Sequence, residues 1–304
     1  MGLKYGIIGT GALGGFYGGK LANAGADVHF LLRSDFKQVA ENGLRVDSVN
    51  GDFHLKSVSC YSSVNEMPVC DVVLVCLKTT NNHLLPQLLK PIVHSESLVV
   101  LIQNGLGVEE ELAKVVPQLN IAGGLAFICS HKVGPGHIQH LDLGKLVLGM
   151  HAPNGQEMLS QVCADFEQAD VPASLSDNLG LSRWQKLVWN VPFNGLAVVL
   201  NTTTDKLMEH EHTRELAHGM MLEVIRAARQ CGYLLDEDFA RTMITTTIKM
   251  KPYAPSMKLD FDNRRAMEIE TIYSRPVHAA KAAGFEMSKV AMLEKQLRFI
   301  ESQM

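Results

Sequence analysis

Short, nearly continuous apolar runs recur along the first half of the chain: Tyr5-Gly6-Ile7-Ile8, Val28-His29-Phe30-Leu31-Leu32, Val72-Val73-Leu74-Val75-Cys76-Leu77 and Leu98-Val99-Val100-Leu101-Ile102. A strand with one wet face alternates apolar and polar residues, so near-continuous runs predict strands covered on both faces, as in a parallel sheet between helix layers. Helix-compatible stretches lie between them, one ending near Asn23 and one beginning near Phe36. Leu44-Arg45-Val46 and Phe53-His54-Leu55 flank Asn50-Gly51, which predicts a two-stranded hairpin at the sheet edge. Residues 121–129, 137–141 and 146–148 read as further short strands, parted by Gly134-Pro135-Gly136 and Leu143-Gly144. From about Gly155 onward the period turns helical. The boundary is therefore expected in His151-Ala152-Pro153-Asn154-Gly155, giving domains over 1–152 and 153–304.

The first run opens directly into Gly9-Thr10-Gly11-Ala12-Leu13-Gly14 and then a helical stretch, which is the strand, glycine turn and helix of a dinucleotide site. Gly9 allows the tight turn, Gly11 lets the backbone approach a pyrophosphate, and Gly14 permits close packing of helix on strand. The free N–H groups at the helix start suit phosphate. The fold class expected is thus α/β, a Rossmann-type doubly wound sheet followed by an all-helical second domain. Arg33 follows the second strand, where an acidic residue commonly holds the ribose 2′-hydroxyl. A guanidinium there suits a 2′-phosphate and favours NADP over NAD. Asp35 competes for the acidic role, or caps the helix beginning near Phe36. Lys78 and Asn104 follow the next two core strands, and ligands of such sheets bind beyond the strands' carboxyl ends.

Composition narrows the class. A net charge of -4 with both signs interspersed offers no basic stripe for nucleic acid and no polybasic membrane patch. The six cysteines are scattered without a C-x-x-C pair, and the start lacks a signal-peptide pattern, so the expected compartment is the cytoplasm. His131, His137 and His140 invite a metal reading, but their spacing in β-like sequence points them to opposite faces, and no metal site is expected.

Lys186, Asn190 and Asn194 recur every fourth position in the otherwise apolar Lys186-Leu187-Val188-Trp189-Asn190-Val191-Pro192-Phe193-Asn194, a polar stripe along one helix face. Buried and unpaired, such groups would cost about 1–3 kcal/mol each, so either a ladder between helices or a polar ligand must satisfy them. Pro192 removes a helix bond and is expected to kink the helix beside the stripe. Farther on, Pro255-Ser256-Met257 leads into a long helical stretch containing Asp260, Arg264, Arg265 and Glu268. Ser256 either caps that helix or serves a site, and Glu268 either pairs with Arg264 or does the same.

Taken together, the glycine turn, Arg33, Lys78, Gln103-Asn104-Gly105, Lys186-x-x-x-Asn190-x-x-x-Asn194, and Ser256-Met257 with Arg264-Arg265 and Glu268-Ile269-Glu270 resemble the 2-dehydropantoate 2-reductase (ketopantoate reductase) family over nearly the whole chain. The resemblance implies an NADPH-dependent reduction of 2-dehydropantoate to pantoate, in pantothenate and coenzyme A biosynthesis. It implies Lys186 as general acid, Asn190, Asn194 and Ser256 as substrate residues, and Glu268 near both the lysine and the nicotinamide. Gly9, Thr10, Gly11, Ala12, Leu13, Gly14, Arg33, Lys78 and Asn104 would hold NADP(H), and a homodimer is the assembly to test. Gly124-Leu125-Ala126-Phe127 stands where the family often has a threonine-rich stretch, and Thr204 where another substrate asparagine is expected. The alternatives are reduction of another branched or larger 2-oxo acid and, in a different class, an NADP(H)-sensing protein, which would not need Lys186, Asn190 and Glu268.

Overall fold

The computed structural model describes residues 2–152 and 154–304. The chain forms two compact units, one through Gln103 and over Val108–Leu179, the other comprising Asn104–Gly107 and Gly180–Met304. In the first, β1 (Lys4–Ile8), α1 (Ala12–Asn23), β2 (Asp27–Leu31), α2 (Phe36–Asn42), β3 (Leu44–Ser48), β4 (Phe53–Leu55), β5 (Ser59–Tyr61), β6 (Val72–Val75), α3 (Leu85–Leu89), β7 (Leu98–Leu101), α4 (Val108–Val115), β8 (Asn120–Gly134), β9 (His137–Met150), α5 (Gln156–Gln168) and β10 (Ala173–Leu175) follow in order.

Nine strands run in the order β4-β3-β9-β8-β7-β6-β1-β2-β5, with β10 beside β9. Strands β8, β7, β6, β1, β2 and β5 pair in parallel. The apolar runs serve two cores at once, because successive side chains leave a strand on opposite faces. Tyr5, Ile7, Val72, Leu74, Leu98 and Val100 join Phe16 and Leu21 of α1 and Leu159, Val162 and Phe166 of α5. Ile8, Val73, Val75, Val99 and Leu101 join Leu85 and Leu89 of α3 and Val108 and Leu112 of α4.

The hairpin around Asn50-Gly51 is present at the edge, with Leu44 opposite Leu55, and its connection spans residues 49–52. The expected short runs over 121–148 are two long antiparallel strands, 15 and 14 residues, interrupted by register shifts. One shift skips Gly144, where Leu143 and Gly144 both take positive φ, so a bulge had the sequence signature of a break.

The units divide after Leu179, beyond the expected stretch 151–155, of which Pro153 lies outside the described residues. Helix α5 belongs to the sheet unit, burying Leu159, Val162, Cys163 and Phe166, and β10 pairs Ala173 with Leu146. A helix covering a sheet has the same period as one in a bundle, so helical spacing begins in the sequence before the boundary between the units.

The second unit is helical: α6 (Leu179–Val199, entered at the boundary), α7 (Thr204–Glu209), α8 (Glu211–Gln230), α9 (Asp238–Lys249), α10 (Ser256–Asp262), a π-helical turn over Glu270–Ser274, α11 (Arg275–Ala282) and α12 (Ser288–Ser302). Its core gathers around α6 through Trp184, Leu187, Val188, Val191 and Phe193. No helix of the described residues is long and apolar enough to cross a membrane.

Candidate active site

At the carboxyl ends of the parallel strands, Ile8 lies level with Leu31 and with Val75. The glycine turn after β1, Arg33 after β2, and Lys78 after β6 therefore leave the sheet at one edge. The three glycines differ in their surroundings. Gly9 has φ +93°, and a Cβ there would come within 2.5 Å of the Leu77 nitrogen. A Cβ on Gly14 would reach the Gly9 carbonyl oxygen at 2.4 Å and Ile7 at 3.0 Å, so the helix seats directly on the strand. A Cβ on Gly11 would meet nothing within 4 Å, and Gly11 is the N-cap of α1 without a side-chain cap. Open space before uncapped helix N–H groups fits a pyrophosphate. Thr10 is tied down, its Oγ1 donating to the Leu31 carbonyl at 2.9 Å, while Ala12 and Leu13 form the first turn of α1.

Arg33 is exposed, and its guanidinium has no hydrogen-bond partner among the described residues. Asp35 is buried and takes Lys132 Nζ at 2.8 Å on both oxygens and the Gly136 N–H at 3.0 Å. Burial works to raise its pKa, but the bonds from Lys132, Gly136 and Ser34 outweigh this and hold the carboxyl below its usual range. Asp35 occupies the N-cap position of α2 without a side-chain cap bond, and its carboxylate is spent on the β8–β9 end of the sheet. The expected cap position is thus occupied without the side-chain cap bond, and the carboxylate oxygens are already engaged within the protein. Gln103 donates to the Leu77 carbonyl at 2.8 Å and to Asn82 Oδ1 at 2.7 Å, joining the ends of β6 and β7.

The three histidines disperse. His137 meets Asp47 at 2.8 Å, and His140 lies between Ser48 Oγ at 2.9 Å and the Asp142 carbonyl at 3.0 Å. Burial lowers the His140 pKa. No group of three or more metal-ligating side chains occurs among the described residues. Gly124-Leu125-Ala126-Phe127 lies inside β8 opposite β9, with Leu125 fully buried and Phe127 partly exposed.

In the second unit, the stripe on α6 extends one turn beyond the interval-of-four pattern. Arg183, Lys186, Asn190 and Asn194 share one face, and Arg183 is 2% exposed. Lys186 keeps some surface, yet desolvation first and Arg183 second push its ammonium down to about 7, with Glu268 pulling the other way. Glu268 is buried. It stands outside the helical stretch expected for it: α10 ends at Asp262, Arg264 takes φ +51°, and the chain then runs irregularly to Glu268. The Arg264 pairing therefore does not form, and Arg265 instead meets Asp260 at 3.1 Å.

The asparagines divide their work. Asn194 Oδ1 accepts the Met257 N–H at 3.1 Å and Ser256 Oγ at 3.4 Å, while its Nδ2 donates to the Asn190 carbonyl at 3.0 Å. Asn194 thus caps α10 from across the fold and sets Ser256, which makes no cap bond of its own. Asn190 is 6% exposed and its amide has no hydrogen-bond partner among the described residues. Pro192 sits inside a helix that continues to Val199, and the Val191 carbonyl beside it accepts Tyr273 Oη at 2.9 Å. Thr204 is structural, its N–H and Oγ1 both donating to the Tyr253 carbonyl at 3.2 and 3.1 Å.

A dinucleotide turn on a doubly wound sheet, with a lysine and carboxamide stripe on a separate helical unit, defines a nicotinamide-dependent oxidoreductase architecture. Residues 5–153 match the family described as Ketopantoate reductase PanE/ApbA, and residues 178–301 match its C-terminal counterpart. The 2-dehydropantoate 2-reductase of Nostoc sp. is 50% identical over 98% of this chain and 95% of that protein. The crystal structure of 2-dehydropantoate 2-reductase from Geobacter metallireducens superposes with TM-score 0.94 at 39% identity, covering 98% of this chain and 99% of that one. The chain belongs to the ketopantoate reductase family. At 21% identity, D-mandelate dehydrogenase, solved with NADH and anilino(oxo)acetate, shares the fold with TM-score 0.90 over 99% of both chains.

Proposed function

We propose that this enzyme reduces 2-dehydropantoate to pantoate with NADPH, Lys186 acting as the general acid. The observation that carries the reading is the α6 stripe: a lysine poised near neutrality with a buried, unanswered carboxamide on the same face. The name of the relative at 50% identity supports the substrate. When bound, the reduced nicotinamide supplies the hydride. Addition to the ketone carbon leaves the electron pair of the C=O bond on oxygen, and the Lys186 ammonium gives that oxygen its proton. Lys186 then regains a proton from solvent.

Glu268 favours the charged lysine, and Arg183 opposes it. Two cations against one carboxylate leave a single positive charge at the site, which suits a monoanionic 2-oxo acid. Asn190 offers an amide donor and acceptor to the substrate's polar groups, and Ser256 a hydroxyl whose place is fixed by Asn194. Gly9, Thr10, Gly11, Ala12, Leu13 and Gly14 would take the pyrophosphate, Arg33 and Lys78 the 2′-phosphate, and Asn104 a cofactor contact. The other reading, a larger or less polar 2-oxo acid, draws on the apolar 124–127 stretch.

A panel of 2-oxo acids assayed by NADPH oxidation tests the choice. A site that hydrogen-bonds a substrate hydroxyl discriminates against an analogue lacking it, because its own polar groups are left unpaired. 2-Dehydropantoate is expected to exceed 3-methyl-2-oxobutanoate by at least about tenfold in kcat/KM, and Ser256→Ala to narrow that gap by about 1–3 kcal/mol. Faster turnover of the analogue would keep the chemistry and discard the substrate.

A further inference from the structure

The chain forms a π-helical turn over Glu270–Ser274. The Arg275 N–H donates to the Glu270 carbonyl, one residue farther back than in an α-helix. In that register the Thr271 carbonyl would be answered by residue 276, which is Pro276 and has no N–H. The carbonyl takes the Leu106 N–H instead, at 2.9 Å. Gly105, at φ +97°, packs so closely there that a Cβ would lie 2.4 Å from Thr271 Cβ. The Arg275 guanidinium completes the grip, donating to the Gly107 carbonyl at 2.8 Å and the Leu106 carbonyl at 3.4 Å.

Glu268 enters the same turn from its other end. The Ile272 N–H donates to the Glu268 carbonyl at 3.2 Å, and the Met267 N–H donates to Glu301 at 2.7 Å. Arg298 secures the outer side through Glu270 and Ser274, each at 2.7 Å. The loop that carries Asn104 and the carboxylate beside the acid are thus mounted on one piece of backbone.

We propose that Arg275, together with the Thr271 carbonyl that accepts the Leu106 N–H, is a positioning element that holds the Asn104 loop in register with Glu268. This rests on the reading of Lys186 and Glu268 given above. Three measurements on the full-length enzyme test it: NADPH affinity by fluorescence titration, kcat/KM, and a double-mutant cycle with Glu268→Gln.

Arg275→Met is expected to weaken NADPH about fivefold and lower kcat/KM about tenfold, with Arg275→Lys recovering most of both. Pro276→Ala removes no side-chain hydrogen bond but supplies a competing N–H to Thr271, and should impair NADPH binding in the same direction without lowering Tm. In the Glu268→Gln background the loss from Arg275→Met should shrink to threefold or less, since contacts in one network are not additive. Unchanged NADPH affinity in both Arg275→Met and Pro276→Ala would overturn the proposal, as would a full tenfold loss of kcat/KM in both backgrounds. Should Arg275→Met fold poorly, Pro276→Ala decides. A wild-type rate in Glu268→Gln alone would instead sink the acid and carboxylate pairing, an outcome the cycle reads separately.

Discussion

Lys186→Ala is expected to lower kcat by about 10² to 10⁴ while NADPH binding persists, the range typical for removal of a general acid. Loss of kcat and kcat/KM together would mark an interaction made in the transition state. The accompanying pH profile carries more information than the rate. An acid must be protonated to act, and Lys186 sits at about 7, so kcat/KM for ketone reduction should be level below that pH and fall above it. In the direction of alcohol oxidation the unprotonated lysine is the base, and the limb should rise instead.

Its two charged neighbours should move that limb in opposite directions. Glu268 raises the Lys186 pKa, so Glu268→Gln shifts the fall to lower pH; Arg183 lowers it, so Arg183→Met shifts the fall to higher pH. A Lys186→Ala variant with near-normal kcat, or a pair of neighbour variants that move the limb the same way, would remove Lys186 from the proposed role.

Arg183 belongs to the α6 stripe without sharing its sequence interval. The interval of four that marks Lys186, Asn190 and Asn194 does not reach Arg183, which lies one turn back at an interval of three, on the same face. Extending the pattern at intervals of three as well as four finds it. The link between Asn194 and α10 had no local signal, because the partners are 62 and 63 residues apart and the capping group comes from another helix. Spacing alone gives Glu268 helical neighbours, whereas the left-handed Arg264 breaks the helix before it. By contrast, the sheet was legible because the runs at β1, β6 and β7 are apolar on both faces, and each residue falls to the core its parity requires. The glycine turn was legible for a similar reason: at Gly9 and Gly14 the backbone leaves no room for a side chain, so little but glycine serves.

Arg33→Ala is expected to weaken NADPH by about ten- to a hundredfold and to leave NADH nearly unchanged, from charge-assisted hydrogen bonds worth about 1.5–3 kcal/mol each. The local structure supports selectivity on two counts. The Arg33 guanidinium is exposed and has no hydrogen-bond partner among the described residues, so it can turn toward a phosphate without breaking a bond. Asp35, the nearby carboxylate that could have accepted a ribose hydroxyl, is held by Lys132 and Gly136. Asp35→Ala should therefore loosen the Lys132 and Gly136 end of the sheet and lower Tm without turning the enzyme toward NADH. Salt adds an independent check. An exposed guanidinium and a phosphate attract each other across water, and the Debye length falls from about 10 Å at 0.1 M to about 3 Å at 1 M. The NADPH advantage of the wild type should shrink as ionic strength rises, and that of Arg33→Ala should respond less. Titration of both cofactors against both proteins, at low and high salt, measures all of this. Equal losses of NADPH and NADH on substitution would show that Arg33 supports the turn rather than reads the phosphate.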